Sequence, residues 1–399
     1  MKYRNKIIIL FISVLCILNL GITVPSKLTE APQEDSYEKS NSNDEVKETF
    51  CIGQVIKVIS EIEEELPGGN KQRSQQLLIR IVSGPESGKK RASLNLIPDN
   101  PGFAIVGEPG RKYLINKIEN LNTGNEEYFV VDYYRAPFVW FLVTLFALLL
   151  LIVGGKKGIR TIVSLIATII FIGFLLIPAI EKGINPLLAA VIVSFLATGF
   201  TMLLVAGINF KSLSSTLGTV IGVTFSGILA TYIINAAPLS GLASSEAMIL
   251  WGNEIYKLNF KGLLAAGMIV SCLGAIMDVA ISISSAIQEI KIANPKYTLK
   301  NLFTAGMNVG KDIMGTMTST LVLAFTGMAL PLLLLINHEK DLLKYINLEL
   351  VTSEITAAIA GSIGLIIAVP ATSLIMSYFM SREKIQPVSD DQNTNIINF

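Results

Sequence analysis

Long apolar runs dominate the chain after residue 135, and each of them is long enough to cross a hydrocarbon core of about 30 Å. Seven such runs lie at about 137–154, 161–180, 186–206, 214–236, 262–284, 313–336 and 354–379. An eighth apolar stretch lies close to the N-terminus. The pattern therefore predicts an α-helical polytopic membrane protein with about eight spans, in which residues 135–382 form a seven-span bundle.

A different pattern occupies residues 51–134, where apolar and polar positions alternate in short segments. The segments are CIGQVIKVI, QLLIRIVSG, RASLNLI, RKYLINKI and EYFVVDYY, and turn sequences rich in Gly, Pro and Asn separate them. Alternation over five to nine residues, bounded by such turns, is typical of half-buried strands. We expect a small all-β domain, either a barrel of OB-like type or a sandwich.

The first fifty residues contain an apolar segment followed by a polar one. Residues 1–25 place three basic residues before an apolar run, which fits either an uncleaved signal anchor forming the first span or a cleaved secretory signal. Residues 26–50 are rich in Ser, Asn and Glu and hold too little apolar surface to fold, so a flexible linker is predicted. Residues 383–399 are predicted to form a polar tail.

Composition excludes several classes of protein. With 51% hydrophobic and 16% charged residues, the chain is too apolar for a soluble protein of its length. Its main predicted partner is the lipid bilayer, and a net charge of +1 gives no reason to expect nucleic acid. Three cysteines and one histidine offer no zinc-ligand set, and no metal or other cofactor is predicted.

Lysine and arginine are distributed unequally between the two sides of the predicted bundle. One set of connections carries Lys156, Lys157 and Arg160, and later connections on the same side continue the basic excess up to Arg382 and Lys384. Because basic loops stay in the cytoplasm, both termini are predicted to be cytoplasmic. Residues 26–134 are predicted to be extracytoplasmic.

Polar residues recur at helical spacing within two of the runs. One face of the helix that includes the run 262–284 carries Asp278, Ser282, Ser285 and Glu289. The start of the helix that includes the run 313–336 carries Asn308, Lys311 and Asp312. An ionisable residue inside a span indicates a functional site by default, so these seven residues form a candidate proton or ion pathway, with Lys311 as a possible counter-charge for Asp278. A structural network of hydrogen bonds between helices is the alternative.

Small residues at spacings of four predict close helix packing. They are Gly218 and Gly222 in one run, Gly274 beside the polar face of another, and Ala360, Gly364 and Ala368 in the last. Such spacing lets two helix backbones approach each other, so a compact bundle is expected.

Two long motifs, GAIMDVAISISS and AGMNVGKDIMGTMTSTLVLAFTGMALP, resemble the YibE/F family of bacterial multi-spanning membrane proteins. The resemblance covers most of the chain from about residue 50 to residue 382, and it implies a location in the bacterial cell membrane. A weaker resemblance in topology is to the SecD/SecF export subunits and the RND superfamily. There, an anchor precedes an outer domain, and an Asp within the membrane works with a basic residue of the next span. The two additional spans and the smaller outer domain depart from that pattern.

These observations leave two classes of function open. The first is a proton-coupled secondary transporter or export-assisting machine. The second is a non-transporting assembly or sensing subunit of the envelope, whose β-domain binds a partner. A second membrane subunit of the same family or a second copy of the chain is an expected partner in either case. No catalytic residues are predicted, because Asp278 and Asp312 lack the surroundings of paired catalytic aspartates.

Overall fold

The structure is a computed structural model of the chain. It describes residues 46–65, 71–98, 100, 102, 104–252, 258–338 and 342–383. The predicted anchor, most of the predicted linker and all but the first residue of the predicted tail lie outside these residues. The chain divides into two compact units, Met1–Phe146 and Ala147–Phe399.

The first unit contains a closed barrel of five strands. The strands are β1 (Val46–Glu65), β2 (Lys71–Ile81), β3 (Lys90–Ile97), β4 (Lys112–Asn120) and β5 (Glu126–Tyr133). They follow the order β1-β2-β3-β5-β4, and β1 closes the barrel because it pairs with both β2 and β4. The barrel, rather than the sandwich, is therefore the correct prediction. β1 begins at Val46, so the last residues of the predicted linker belong to the barrel.

Alternate side chains of the strands fill the barrel. Its core consists of fully or almost fully buried residues, namely Val55, Leu77, Ile79, Ile81, Tyr113, Ile115 and Tyr128. Gly53 lies where β1 passes from β4 to β2, and a Cβ atom there would approach Cγ1 of Ile115 to 2.7 Å. The crossing point of the long strand therefore requires a residue without a side chain.

A cluster of charged residues joins the loop after β2 to strands β3, β4 and β5. Nζ of Lys117 lies 2.7 Å from Glu126 and 3.1 Å from Glu86, and the Tyr128 hydroxyl donates to Glu86 at 2.9 Å. The hydrogen bond from Tyr128, together with the charge of Lys117, lowers the pKa of Glu86 to about 2. Burial, followed by hydrogen bonding to Glu86 and Glu126, raises the pKa of Tyr128 to about 12. Arg91 of β3 also contacts Tyr128 at 3.2 Å and Glu126 at 3.4 Å, so the cluster stabilises the barrel beside the pairing of β3 with β5, the one parallel pair among the described strands.

The rest of the described chain is helical. Its helices are α1 (Ala136–Glu181), α2 (Pro186–Ala206), α3 (Phe210–Ala236), α4 (Ser245–Gly252), α5 (Phe260–Ala293), α6 (Leu299–Met328), α7 (Leu330–His338), α8 (Leu342–Ile346) and α9 (Glu349–Arg382). Five of these, α1, α2, α3, α5 and α9, are long and apolar enough to cross a membrane. This count applies to the described residues, and the predicted eight spans are not confirmed.

Two features account for the difference from the predicted seven-span bundle. The runs 137–154 and 161–180 are the two arms of α1, which bends at Gly155 (φ 51°, ψ −125°) and contains a π-helical turn at Ile172–Leu176. A positive φ favours glycine, so the bend lies at the residue that tolerates it. The run 313–336 is divided between α6 and α7, and α6 begins fourteen residues earlier with a polar segment that lowers its mean hydropathy.

Helix α9 is the centre of the bundle. It packs against α3, α5 and α6, and α3 also packs against α2 and α5. Apolar residues from all these helices form one buried cluster, which includes Val223, Ile269, Ile276, Ile283 and Leu365. The helices that carry the predicted polar residues are therefore the outer neighbours of α9.

We expect residues 46–134 to fold when they are expressed without the helices, because the barrel closes on itself and has its own core. An amide NMR spectrum with wide dispersion is the expected result. A collapsed spectrum, typical of an unfolded chain, would contradict autonomous folding.

Glu86→Gln should destabilise this isolated barrel at neutral pH, since it removes the carboxylate that Lys117 and Tyr128 contact. The pKa of Glu86 is lowered in the folded state, so its stabilising contribution is complete above about pH 4.5 and is lost as the pH falls towards 2. Urea unfolding at pH 7 and at pH 2.5 measures this difference. Glu127→Gln, an exposed change on the same strand as Glu126, is the control. Equal losses at both pH values would show that the charge has no role.

Candidate functional site

The predicted polar face that includes Asp278 belongs to helix α5, and it lies on the outside of the bundle. Asp278 and Glu289 of α5 are exposed, and Ser282 and Ser285 are partly exposed. Ile283 and Ile287 occupy the other side, where they meet the glycines of α6. At 100° per residue, the polar face points about 180° away from this contact. We refer to Asp278, Ser282, Ser285 and Glu289 as the α5 stripe.

The polar residues of α6 also face outwards. Asn308, Lys311 and Asp312 are exposed, whereas Gly306 and Gly310 are buried against α5 and α9. A Cβ on Gly306 would approach Ile287 to 2.5 Å, and one on Gly310 would approach Val369 to 2.3 Å. The outward residues Lys300, Asn308, Lys311 and Asp312, with the exposed Gly315 and Ser319, are called the α6 stripe.

The two stripes do not meet within one chain. The side of α5 that contacts α6 is apolar, and the inward side of α6 contains Gly306, Gly310 and apolar residues such as Leu302. Asp278 and Lys311 form no ion pair with each other, and neither has a hydrogen-bonded or charged partner among the described residues. The hypothesis that Lys311 pairs with Asp278 is therefore wrong for a single subunit.

Most of the predicted packing residues lie at a close contact between α3 and α9. A Cβ on Gly222 would lie 2.6 Å from the carbonyl oxygen of Gly364, and one on Gly364 would lie 2.7 Å from that of Gly222. A Cβ on Gly218 would overlap the side chain of Thr372, and Ala360 and Ala368 are also buried. Gly274 differs, because it is exposed beside Asp278 with no atom within 4 Å of its Cβ position.

Buried hydroxyl groups occupy the helix contacts, and the predictions from the sequence did not include them. Ser215 Oγ donates to its own helix and, at 3.3 Å, to the carbonyl of Ala280 in α5. Thr372 and Ser373 of α9 are fully buried, and their hydroxyls contact Gly218 of α3 and Gly306 of α6. The helix contacts are thus rich in hydroxyl groups, and those of Thr372 and Ser373 form no hydrogen bond among the described residues. Pairs such as Thr372-Ser373 could have been noticed in the sequence, but Ser and Thr are common in apolar helices.

A buried lysine fixes the turn between α5 and α6. Lys291 lies in the last turn of α5 with 5% of its surface exposed. Its Nζ donates to the carbonyl oxygens of Pro295 at 2.8 Å and Tyr297 at 3.0 Å. The ammonium group also lies where the helix dipole favours a cation. The register between the two helices is therefore held both by this turn and by the glycine contacts.

Two carboxylates of α9 were missed because one lies before the predicted span 354–379 and the other is its first residue. Glu349 accepts hydrogen bonds from the backbone amides of Ser240 (2.7 Å) and Gly241 (2.8 Å) and from the Ser240 hydroxyl, so it holds the loop after α3. Glu354 is partly buried and lines a cavity of about 400 Å³. The other lining residues are Met328, Ala329, Pro331, Leu332 and Leu350, all of which are apolar.

Comparison with known proteins bears mainly on the helical unit. A family model described as YibE/F-like protein matches residues 142–382, which is more than half of the chain. Neither the comparison with curated proteins nor that with solved structures found a match. The matched range includes the α5 and α6 stripes and the contact between Gly222 and Gly364.

Gly222→Ala should destabilise the bundle, because the new methyl group would overlap the backbone of α9. We expect a loss of about 1–3 kcal/mol, typical of overpacking. Gly267→Ala is the matched control, since Gly267 lies in helix α5 with open space at its Cβ. That change should be neutral or stabilising by up to about 1 kcal/mol. Thermal unfolding in detergent measures both, and equal effects would contradict the close contact.

Proposed function

Because the chain belongs to the YibE/F-like family and carries helices able to cross a bilayer, we propose that it is a proton-coupled secondary transporter of the bacterial cell membrane. In this proposal both termini are cytoplasmic and the barrel is extracytoplasmic. The bundle of α3, α5, α6 and α9 is the transporting unit.

The observation that carries the proposal is the isolation of Asp278. A charged carboxyl at the centre of a membrane helix costs about 3 kcal/mol on insertion scales, so a carboxyl retained there needs a purpose. The structural alternative assigns Asp278 a hydrogen bond to a neighbouring helix of the same subunit. Among the residues that the structure describes, Asp278 has no such bond. The alternative therefore loses its main support, and a carboxyl that gains and loses a proton is the better explanation.

The proposed role of Asp278 depends on the two states of its side chain. When the carboxylate takes up a proton it becomes neutral, and its outward face can lie against apolar surroundings at much lower cost. When it releases the proton, the charged form favours an arrangement in which water or a cation reaches it. Ser282, Ser285 and Glu289 extend the same face towards one end of α5 and supply polar contacts along that path. Protonation would thus bias the position of α5 relative to its surroundings.

A second candidate function is favoured by one feature of the barrel. Leu94 and Leu96 of β3 point outwards and are 40% and 46% exposed. Neighbouring apolar residues on the outside of a small domain suit binding to another protein. A non-transporting subunit that assembles with, or senses, an envelope component through its barrel is therefore the runner-up.

Asp278→Asn should abolish proton flux while preserving the fold, because Asn has nearly the same volume but cannot carry a proton. Purified protein in sealed vesicles, with an internal pH-sensitive dye and an imposed membrane potential, measures the flux. We expect a loss of at least tenfold with an unchanged melting temperature.

Glu246→Gln is the matched control, since Glu246 is an exposed acid in the short helix α4, away from both stripes. Its proton flux should equal that of the unchanged protein. Full flux in Asp278→Asn would refute the proton carrier. Absence of flux in the unchanged protein would favour the non-transporting subunit.

A further inference from the structure

Both stripes lie on the surface of the helical bundle, where a single subunit leaves them uncovered. The α5 stripe contains two acids, Asp278 and Glu289, and the only lysine in the second half of that helix, Lys291, is turned inwards. The α6 stripe contains two exposed lysines, Lys300 and Lys311. A polar face of this length in contact with lipid is unfavourable, so a protein surface is expected to cover it.

The charges on the two stripes match in spacing. Eleven residues separate Asp278 from Glu289, and eleven residues also separate Lys300 from Lys311. Eleven residues correspond to about three helical turns and about 16 Å, so each pair lies on one side of its helix. Because the two helices run in opposite directions, an antiparallel contact brings Asp278 to Lys311 and Glu289 to Lys300 at the same time.

The acids of α5 and the lysines of α6 also lie at similar heights along the bundle. Ile283 lies against Gly310 and Ile287 against Gly306, which sets the relative height of α5 and α6. By this register, Asp278 is level with Gly315 and Glu289 is level with Thr304. Each lysine is four residues, or about 6 Å, from the level of its acid, and both are displaced in the same direction. The flexible stem of a lysine spans such a distance.

We propose that the α5 stripe of one copy packs against the α6 stripe of a second copy, with ion pairs between Asp278 and Lys311 and between Glu289 and Lys300. Two copies inserted in the same orientation keep equal depths, so the register within one chain applies between chains. The open space at Gly274 and Gly315 allows the two helices to approach closely. That Lys311 is the counter-charge of a proton carrier rests on the proposed function, whereas the contact itself does not.

A second copy explains the charges better than the N-terminal apolar run of the same chain. That run, from Ile7 to Leu18, has no charged side chain and cannot neutralise Asp278 within the membrane. One added helix would also cover only one of the two stripes, since each points away from the α5–α6 contact. Further copies of the chain supply the complementary surface for both stripes, with one copy against the α5 stripe and another against the α6 stripe.

Disulfide cross-linking in native membranes tests the contact. Two differently tagged copies are co-expressed, one with Ser285→Cys and the other with Asn308→Cys, in a chain whose native cysteines are replaced by Cys16→Ser, Cys51→Ser and Cys272→Ala. Ser285 and Asn308 lie on the two stripes at equal height by the register above. Mild oxidation should join the two tags.

Matched controls follow from the same geometry. Thr326→Cys lies on the exposed side of α6 but about 27 Å further along, so it should not cross-link with Ser285→Cys. A chain carrying both Ser285→Cys and Asn308→Cys should form no disulfide within itself, because the stripes face apart. Lys300→Met together with Lys311→Met should reduce the yield between copies at least fivefold, whereas Lys296→Met, in the turn before α6, should not.

Three outcomes would overturn the proposal. These are absence of a disulfide between copies, a disulfide from Ser285→Cys to Cys16 of the same chain in a further variant that keeps Cys16, and a yield unaffected by removal of both lysines. The yield does not depend on transport. Cross-linked protein without proton flux would therefore refute the proposed function and keep the contact, while flux without cross-links would do the reverse.

Discussion

Hydrocarbon offers no hydrogen-bond partner, so a polar side chain in the helical unit can find one only within protein or water. In the interior, the helices themselves supply acceptors for part of the hydroxyl groups. Thr216 and Thr219 of α3, for example, donate to carbonyls one turn earlier. Other hydroxyl groups, such as those of Thr372 and Ser373, form no hydrogen bond among the described residues. An ionisable group is not satisfied by one carbonyl of its own helix, and the buried Lys291 of α5 uses two carbonyls of the following turn. The other acidic and basic residues of α5 and α6 are exposed, so the remaining charge of these two helices lies on the outer surface.

The contact between Gly222 and Gly364 determines which sides of the outer helices are inward. With the backbones of α3 and α9 in contact, the space around α9 is filled by Ile276, Ile283 and Ile287 of α5. Gly306 and Gly310 then allow α6 to approach these isoleucines. Once the isoleucines are inside, the residues on the opposite side of α5, including Asp278, can only point away from the bundle.

Periodicity in the sequence was sufficient to group residues but not to orient the groups. It correctly indicated the five strands of the barrel, and helical spacing placed Asp278, Ser282, Ser285 and Glu289 on one face. It could not show that this face lies outside, because an apolar face of isoleucine suits either lipid or a helix core. The bend between the two arms of α1 was not predicted either, since the conformation of Gly155 depends on a backbone angle that composition does not reveal. The burial of Lys291 was not predicted either, because it depends on two carbonyls in the following turn.

The location of the counter-charge affects how Asp278 could work. If the counter-charge of Asp278 lay on α6 of the same chain, α5 would have to move against α6 to separate the two charges. Contacts of Ile283 and Ile287 and the turn held by Lys291 keep these helices in one register. Breaking that contact would also expose the glycine face of α6. A partner on another copy avoids this cost, because two subunits can shift against each other while each keeps its own core intact. A charged group at the surface of the bundle can therefore form and break its ion pair more easily than a charged group inside it. The outward position of Asp278 is consistent with a moving interface between subunits.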